Sequence, residues 1–307
     1  MKLNPKSFAS LVSILLYIAE STFAAAVPKK AFTSLIVFGD SYTDNGNGTF
    51  VITNGTVPPS PPYFEGRFCN GPVWVEYLAG ELGIPLIDKA FGGATSDSNL
   101  VRSASGPDAT FDVPGVIQQI DAYIQELREK GVEKFDENAL FSVVLAGNDY
   151  SYSLDQGQVV APEKVVERIM LNLQTLFEFG AANIIVNTMP NFSNSPLYAQ
   201  SNVSEAITNI VETHNQLLKS SLDEFVKSTK ANIFIYKADE LFTEFTTTNF
   251  HDEINVSKSF NEQCITYVAQ NRPQPCDQPD QYIFWDRVHV TTKIHKVIAE
   301  NVLELLG

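Results

Sequence analysis

Five short apolar runs recur along the chain, at residues 35–39, 84–89, 140–146, 183–188 and 232–236, each rich in branched or aromatic side chains and bounded by turn residues. Their apolar character is continuous. A half-exposed strand shows a polar residue at every second position, so runs without that alternation belong to strands covered on both faces, the mark of a parallel sheet. Segments of helical period lie between them, at 73–82, 114–130, 162–179, 205–229 and 291–306. Pro114 and Pro162 fall where a first helical turn tolerates proline, because the missing N–H has no intrahelical partner there. Strand and helix alternating in this order predict the α/β class, a three-layer α/β/α sandwich with right-handed crossovers. A chain of 307 residues can bury a large single core, and no repeat or linker divides it.

Three long irregular stretches interrupt the pattern, at 45–72, 95–113 and 240–284. Ligands of open α/β sheets bind outside the carboxyl ends of the strands, where the following loops converge. Loops of this length are commonly functional, and these are expected to wall a substrate cleft.

Residues 1–26 read as a secretory signal peptide, leaving 27–307 as the working domain. Lys2 and Lys6 precede an apolar stretch at 8–19 broken only by Ser10, Ser13 and Tyr17, and Ala24, Ala25 and Ala26 offer small residues for cleavage. That stretch is too short to span a bilayer comfortably. The expected location is therefore extracellular. The formal charge is −15 for the whole chain. Such an acidic surface repels phosphate backbones and anionic bilayers, which argues against nucleic-acid and stable membrane partners.

Three cysteines fit an oxidising compartment. Cys264 and Cys276 enclose eleven residues, including Pro273 and Pro275, and are expected to close a disulfide loop. By loop entropy such a bridge contributes about 3 kcal/mol. Cys69 is then left over, expected as a small buried apolar residue. No CxxC or HxxxH spacing occurs, so no metal is expected. Five Asn-x-Ser/Thr sequons, at Asn47, Asn54, Asn191, Asn202 and Asn255, are candidates for N-glycosylation.

The first apolar run ends abruptly in Gly39-Asp40-Ser41, and Trp285-Asp286-Arg287-Val288-His289 precedes the last helical segment. A serine hydroxyl is a weak nucleophile until a base takes its proton during attack. Histidine suits that task, and a carboxylate fixes its tautomer and stabilises the imidazolium. Asp286 and His289, three apart on a turn entering a helix, can present both side chains to one side. The attacked carbonyl also needs donors aimed at its developing oxyanion. Gly92-Gly93 after the second strand and Gly147-Asn148-Asp149 after the third lie at the required end of the sheet.

These segments resemble, in order, the conserved blocks of the GDSL (or SGNH) hydrolases. Gly39-Asp40-Ser41-x-x-Asp44-x-Gly46-Asn47 is similar to the first block, and Ala90-Phe91-Gly92-Gly93-Ala94-Thr95 to the second. Gly147-Asn148-Asp149 resembles the third and Asp286-x-x-His289 the fifth. The resemblance implies a flavodoxin-like sheet of five parallel strands. It also implies Ser41 as nucleophile and first oxyanion donor, Gly93 and Asn148 as further donors, and Asp286 with His289 as the remaining triad members. No cofactor is implied. Asp88, where many relatives carry Asn, and Val290, where plant-type members place Pro, argue against a plant-type member. Residues 66–77 and 284–286 look closest to fungal members similar to the family 16 carbohydrate esterases. No G-x-S-x-G occurs, which excludes the nucleophile elbow of α/β-hydrolases.

Three functional readings stand at this point. The first is a secreted acetylesterase acting on plant cell-wall sugars through an acyl-enzyme. The others are an extracellular lipase or lysophospholipase of the same family, and an inactive carbohydrate-binding homologue. Asp40 and Asp44 read as braces of the turn and Asp149 as an organiser of its own loop. Trp285 reads as packing beside Asp286. His214 in a helical segment, His251 in a loop and His295 two turns into the last helix read as structural or surface residues. Tyr63, Phe64 and Arg67 either contact substrate or brace their loop.

Overall fold

A computed structural model describes residues 32–268 and 272–307. The expected signal peptide at 1–26 lies outside the described residues. The five apolar runs form the strands β1 (Leu35–Gly39), β2 (Leu86–Asp88), β3 (Leu140–Val144), β4 (Asn183–Asn187) and β5 (Asn232–Tyr236). They pair in the order β2-β1-β3-β4-β5 with every pairing parallel. Crossovers are made by α1 (Trp74–Leu82), α2 (Val116–Glu129), α3 (Asn148–Asp155), α4 (Pro162–Glu178) and α5 (Ser204–Thr229), and α6 (Thr292–Leu306) closes the chain.

The pleat of the sheet sorts its side chains into two cores. Leu35 and Val37 of β1 face α1 and α6, where they meet Trp74, Leu78, Ile294 and Val302. Ile36 and Phe38 face the opposite layer, with Ile120 of α2, Leu173 of α4 and Leu222 of α5. Each such side chain, removed from water, contributes roughly 1.5–3 kcal/mol. This is the reason the strands carry no polar alternation: neither face is wet.

The strand order places the topological switch between β1 and β3, whose connections leave on opposite sides of the sheet and open a crevice at their carboxyl ends. Both strand ends are fastened there by amide side chains. Buried Gln119 of α2 accepts from the Gly39 N–H at 3.0 Å and donates to the Gly39 carbonyl at 2.9 Å. Asn187, at the end of β4, does the same for Leu145 just past β3.

Several expectations need adjusting. Pro114 lies ahead of α2, which starts at Val116 after the Gly115 cap, because the Pro114 carbonyl is taken by the Gln119 amide. Residues 240–284 hold more order than their composition suggests. Ala238–Glu244 and Thr248–Glu253 are short helices, and Thr266–Val268 pairs antiparallel with Arg272–Gln274. His251 therefore lies in a helix, sharing a hydrogen bond with the Phe245 carbonyl. His295 stands in the first turn of α6, earlier than the apolar period indicates. Cys264 and Cys276 are bonded to one another, and Cys69 is buried and free. Among the described residues no helix is long and apolar enough to cross a membrane.

Candidate active site

Gly39 ends β1, and the chain turns at once because the Asp40 carbonyl accepts from the N–H groups of Thr43 and Asp44. Ser41 sits on this turn, mostly buried but lining the crevice. The Asp40 carboxylate accepts from the Tyr42 N–H at 3.0 Å and from the Ala146 N–H at 2.6 Å, which ties the β1 turn to the β3 loop. Burial pushes the Asp40 carboxyl up to about 6 against the pull of those two hydrogen bonds. Asp44 accepts from the N–H groups of Gly46, Gly48, Thr49 and Gly92, locking the second glycine loop onto the first. Both acids thus brace the turn.

The imidazole arrives from the other end of the chain. Phe284 and Val290 form an antiparallel bridge, and the Trp285 N–H donates to the His289 carbonyl at 2.7 Å, so residues 285–289 make a tight turn. Inside it the first Asp286 carboxylate oxygen accepts from the N–H groups of Val288 and His289. The second oxygen meets His289 Nδ1 at 2.7 Å. His289 Nε2 lies 2.8 Å from Ser41 Oγ. The Tyr42 hydroxyl donates to the Val288 carbonyl at 2.6 Å, and the imidazole lies between the rings of Tyr42 and Phe68. Burial alone would raise the Asp286 carboxyl. The charge of His289 and hydrogen bonds from His289 and Tyr63 outweigh it and hold the group below its ordinary value. An ionised carboxylate, an imidazole and a hydroxyl therefore form one continuous hydrogen-bonded chain.

Gly93 and Asn148 line the same crevice as Ser41 and His289. Gly93 has φ +91°, and a Cβ there would lie 2.1 Å from the Ala104 carbonyl oxygen, so only glycine brings this backbone N–H to the crevice. Asn148 opens α3, and its amide donates one proton to the Ala94 carbonyl at 2.8 Å, leaving the second for a ligand. Among the described residues the N–H groups of Ser41 and Gly93 have no hydrogen-bond partner. Asp149 accepts from the Ser96 N–H and hydroxyl, which pins the start of α3 to the loop after the second block. The crevice has a volume of about 780 Å³ and is also lined by Tyr152, Phe192, Tyr198 and Arg287.

Other singled-out residues stand elsewhere. His214 is buried and shares a hydrogen bond with the Tyr150 hydroxyl. His295 Nδ1 accepts from the Trp74 N–H, supporting the first turn of α1. Arg67 is salt-bridged to Glu76 and lies over the Phe64 ring, so this pair braces its loop. Asn47, Asn54, Asn202 and Asn255 are exposed, while the Asn191 side chain is half-buried and hydrogen-bonded to Ser193 and Thr208. Tyr42 and Phe68 went unassigned in the sequence because their contacts join positions far apart, and Tyr63, read as touching substrate or bracing its loop, reaches the acid instead. The Tyr63 hydroxyl donates to Asp286 at 2.6 Å across 223 positions.

The sequence profile of the GDSL-like lipase/acylhydrolase family matches residues 35–302, which include every one of these groups. The chain belongs to that family. It is thereby a member of a family of esterases and lipases, and the α/β fold with a five-stranded parallel sheet agrees. Among relatives, phosphatidylcholine-sterol acyltransferase of Aeromonas hydrophila is 26% identical over 331 residues, covering 93% of this chain and 93% of that protein. A GDSL esterase/lipase of Arabidopsis thaliana is 26% identical over 307 residues, covering 84% of this chain and 83% of that protein. A solved acetylxylan esterase of Geobacillus stearothermophilus is similar at TM-score 0.45 and 16% identity, over 91% of this chain and 96% of that one. These relatives are bacterial and plant proteins. Asp88 has a local task, accepting from the N–H groups of Asn45 and Ala90.

Proposed function

We propose that residues 27–307 are a secreted serine esterase that cleaves carboxylic esters through an acyl-enzyme, removing acetyl groups from plant cell-wall carbohydrates. The hydrogen-bonded chain from Ser41 through His289 to Asp286 carries this reading. His289 Nε2 takes the Ser41 proton as Oγ attacks the ester carbonyl, and the ionised Asp286 stabilises the resulting imidazolium. The N–H groups of Ser41 and Gly93 and the Asn148 amide receive the developing oxyanion. His289 returns the proton to the leaving alcohol. A water then repeats the sequence and frees the acid. The crevice combines hydroxyl, charged and aromatic groups, the mixture a sugar presents surfaces for. An expected signal sequence, the Cys264–Cys276 bond and the exposed sequons support export and glycosylation.

The acyl side favours short chains. A smaller apolar pocket, about 40 Å³, shares Ala146, Ser151, Phe192 and Tyr198 with the crevice and is otherwise lined by groups such as Leu154, Met189 and Ile210. That volume holds roughly three water-sized groups. A hydrogen bond between the hydroxyls of Ser151 and Tyr198, 2.9 Å apart, joins two of the shared residues. The name of the Aeromonas relative and the apolar lining of that pocket, though not its volume, speak for the second reading, a lipase.

A hydrolysis series from acetyl to palmitoyl p-nitrophenyl esters, with acetylated xylo-oligosaccharides alongside, separates these readings. Acetyl esters turning over at least about tenfold faster than octanoyl esters is the expected result. The reverse order selects the lipase. Folded protein that binds xylo-oligosaccharides and hydrolyses nothing selects the inactive homologue.

A further inference from the structure

We propose that Tyr63 is a positioning residue for the hydrolytic chain, its hydroxyl holding the Asp286 carboxylate and setting how strongly that carboxylate stabilises protonated His289. The proposal rests on the reading of Ser41, His289 and Asp286 given above.

Asp286 has four hydrogen bonds and each oxygen takes two. One oxygen is occupied by the N–H groups of Val288 and His289, and the other by His289 Nδ1 and the Tyr63 hydroxyl. A carboxylate so bound cannot rotate, which keeps the oxygen facing the imidazole on its axis. An ionised carboxylate only accepts, so the Tyr63 hydroxyl is the donor. Tyr63 is itself fixed: it is buried, and its ring stands edge-on to Trp285, with centroids 6.3 Å apart. Burial, then the neighbouring Asp286, pushes the phenol far above its ordinary range, so it keeps its proton at any working pH. A phenol held this way draws negative charge out of the oxygen it shares with His289. Its hydrogen bond therefore competes with the imidazolium for the same electron density.

Removing only the hydroxyl returns that density to the histidine, which becomes a stronger base. The other titratable groups within electrostatic reach are Asp40 and Tyr42 on the β1 turn, Cys69, Tyr267 of the disulfide loop, Arg287 on the turn itself and His295 of α6. Of these only Tyr267 loses a hydrogen bond in Tyr63→Phe, and burial raises its phenol, so it stays neutral and a moved titration reports the Tyr63 hydroxyl.

The test is the pH profile of kcat/KM for p-nitrophenyl acetate in wild type, in Tyr63→Phe and in protein carrying 3,5-difluorotyrosine at position 63. In Tyr63→Phe the midpoint of the acid limb is expected to rise by about half a pH unit or more, with kcat down about tenfold and KM within about threefold. The fluorinated residue keeps the shape and donates more strongly, so its midpoint is expected to fall. A Tyr63→Phe midpoint that stays or falls overturns the proposal, as does a fluorinated midpoint that stays or rises, and the second measurement decides alone if the phenylalanine variant does not fold. Ser41→Ala in the same assay separates the two levels. Full turnover there sinks the underlying reading, whereas an inactive Ser41→Ala with unmoved Tyr63 profiles sinks only this inference.

Discussion

A serine hydroxyl 2.8 Å from an imidazole nitrogen is already arranged for its proton to leave as the oxygen attacks. Ser41→Ala and His289→Ala are therefore expected to lower kcat for acetyl esters by about 10⁴-fold or more while melting within a few degrees of wild type. Retained turnover in purified Ser41→Ala disproves the assignment. Asn148→Ala removes one of the proposed oxyanion donors and is expected to cost about 10²–10³ in kcat with KM little changed, read from full saturation curves. Residues of this kind were legible in the chain because each stands in a short segment whose chemistry is local. Glycines mark the tight approach, and the acid and the base share one turn. The parts played by Tyr42 and Phe68, and the partner of Tyr63, were not legible. Each acts on the 285–289 turn from more than two hundred positions away, and no local pattern records such a contact.

At the scale of elements, the segment bearing Asp286 is fastened by its neighbours. The Cys264 and Ile265 N–H groups donate to the carbonyls of Phe284 and Trp285, so the disulfide at Cys264 anchors a strip running beside the acid. The double variant Cys264→Ser/Cys276→Ser is expected to lose about 3 kcal/mol in urea unfolding, from the released loop entropy. An unchanged midpoint would mean the strip holds without its bridge. Gly93→Ala sets a Cβ against the Ala104 carbonyl oxygen at a backbone angle that side chains rarely adopt. It is expected to cost about 1–3 kcal/mol and most of the activity, and a wild-type melting point would contradict the crowding. The sheet and long helices were readable since their periods persist for whole elements. The helices Ala238–Glu244 and Thr248–Glu253 were hidden, being too short for a period to declare itself and stabilised by packing of Leu241, Phe242 and Phe245 in the core.

For the whole molecule, buried ionisable groups set the response to acid. Burial lowers His214 from 6.5 to about 4, so between those values the unfolded chain holds more protons than the native one and stability falls as pH falls. Asp40 and Asp149, pushed up to about 6 by burial, act in the opposite sense, because the native state takes those protons first. Comparing wild type with His214→Gln cancels the carboxyl contribution. Between pH 7 and 5 the wild type is expected to lose about 2 kcal/mol more unfolding free energy than the variant. Equal losses would show that His214 accepts a proton inside the fold.

The contact between Ser41 and His289 spans 248 positions, almost the full described chain. A polypeptide still emerging from the ribosome thus carries its hydroxyl long before it owns the imidazole. On the proposed reading, chemical competence waits for the segment that bears His289, and ester bonds near a copy lacking it are safe from attack.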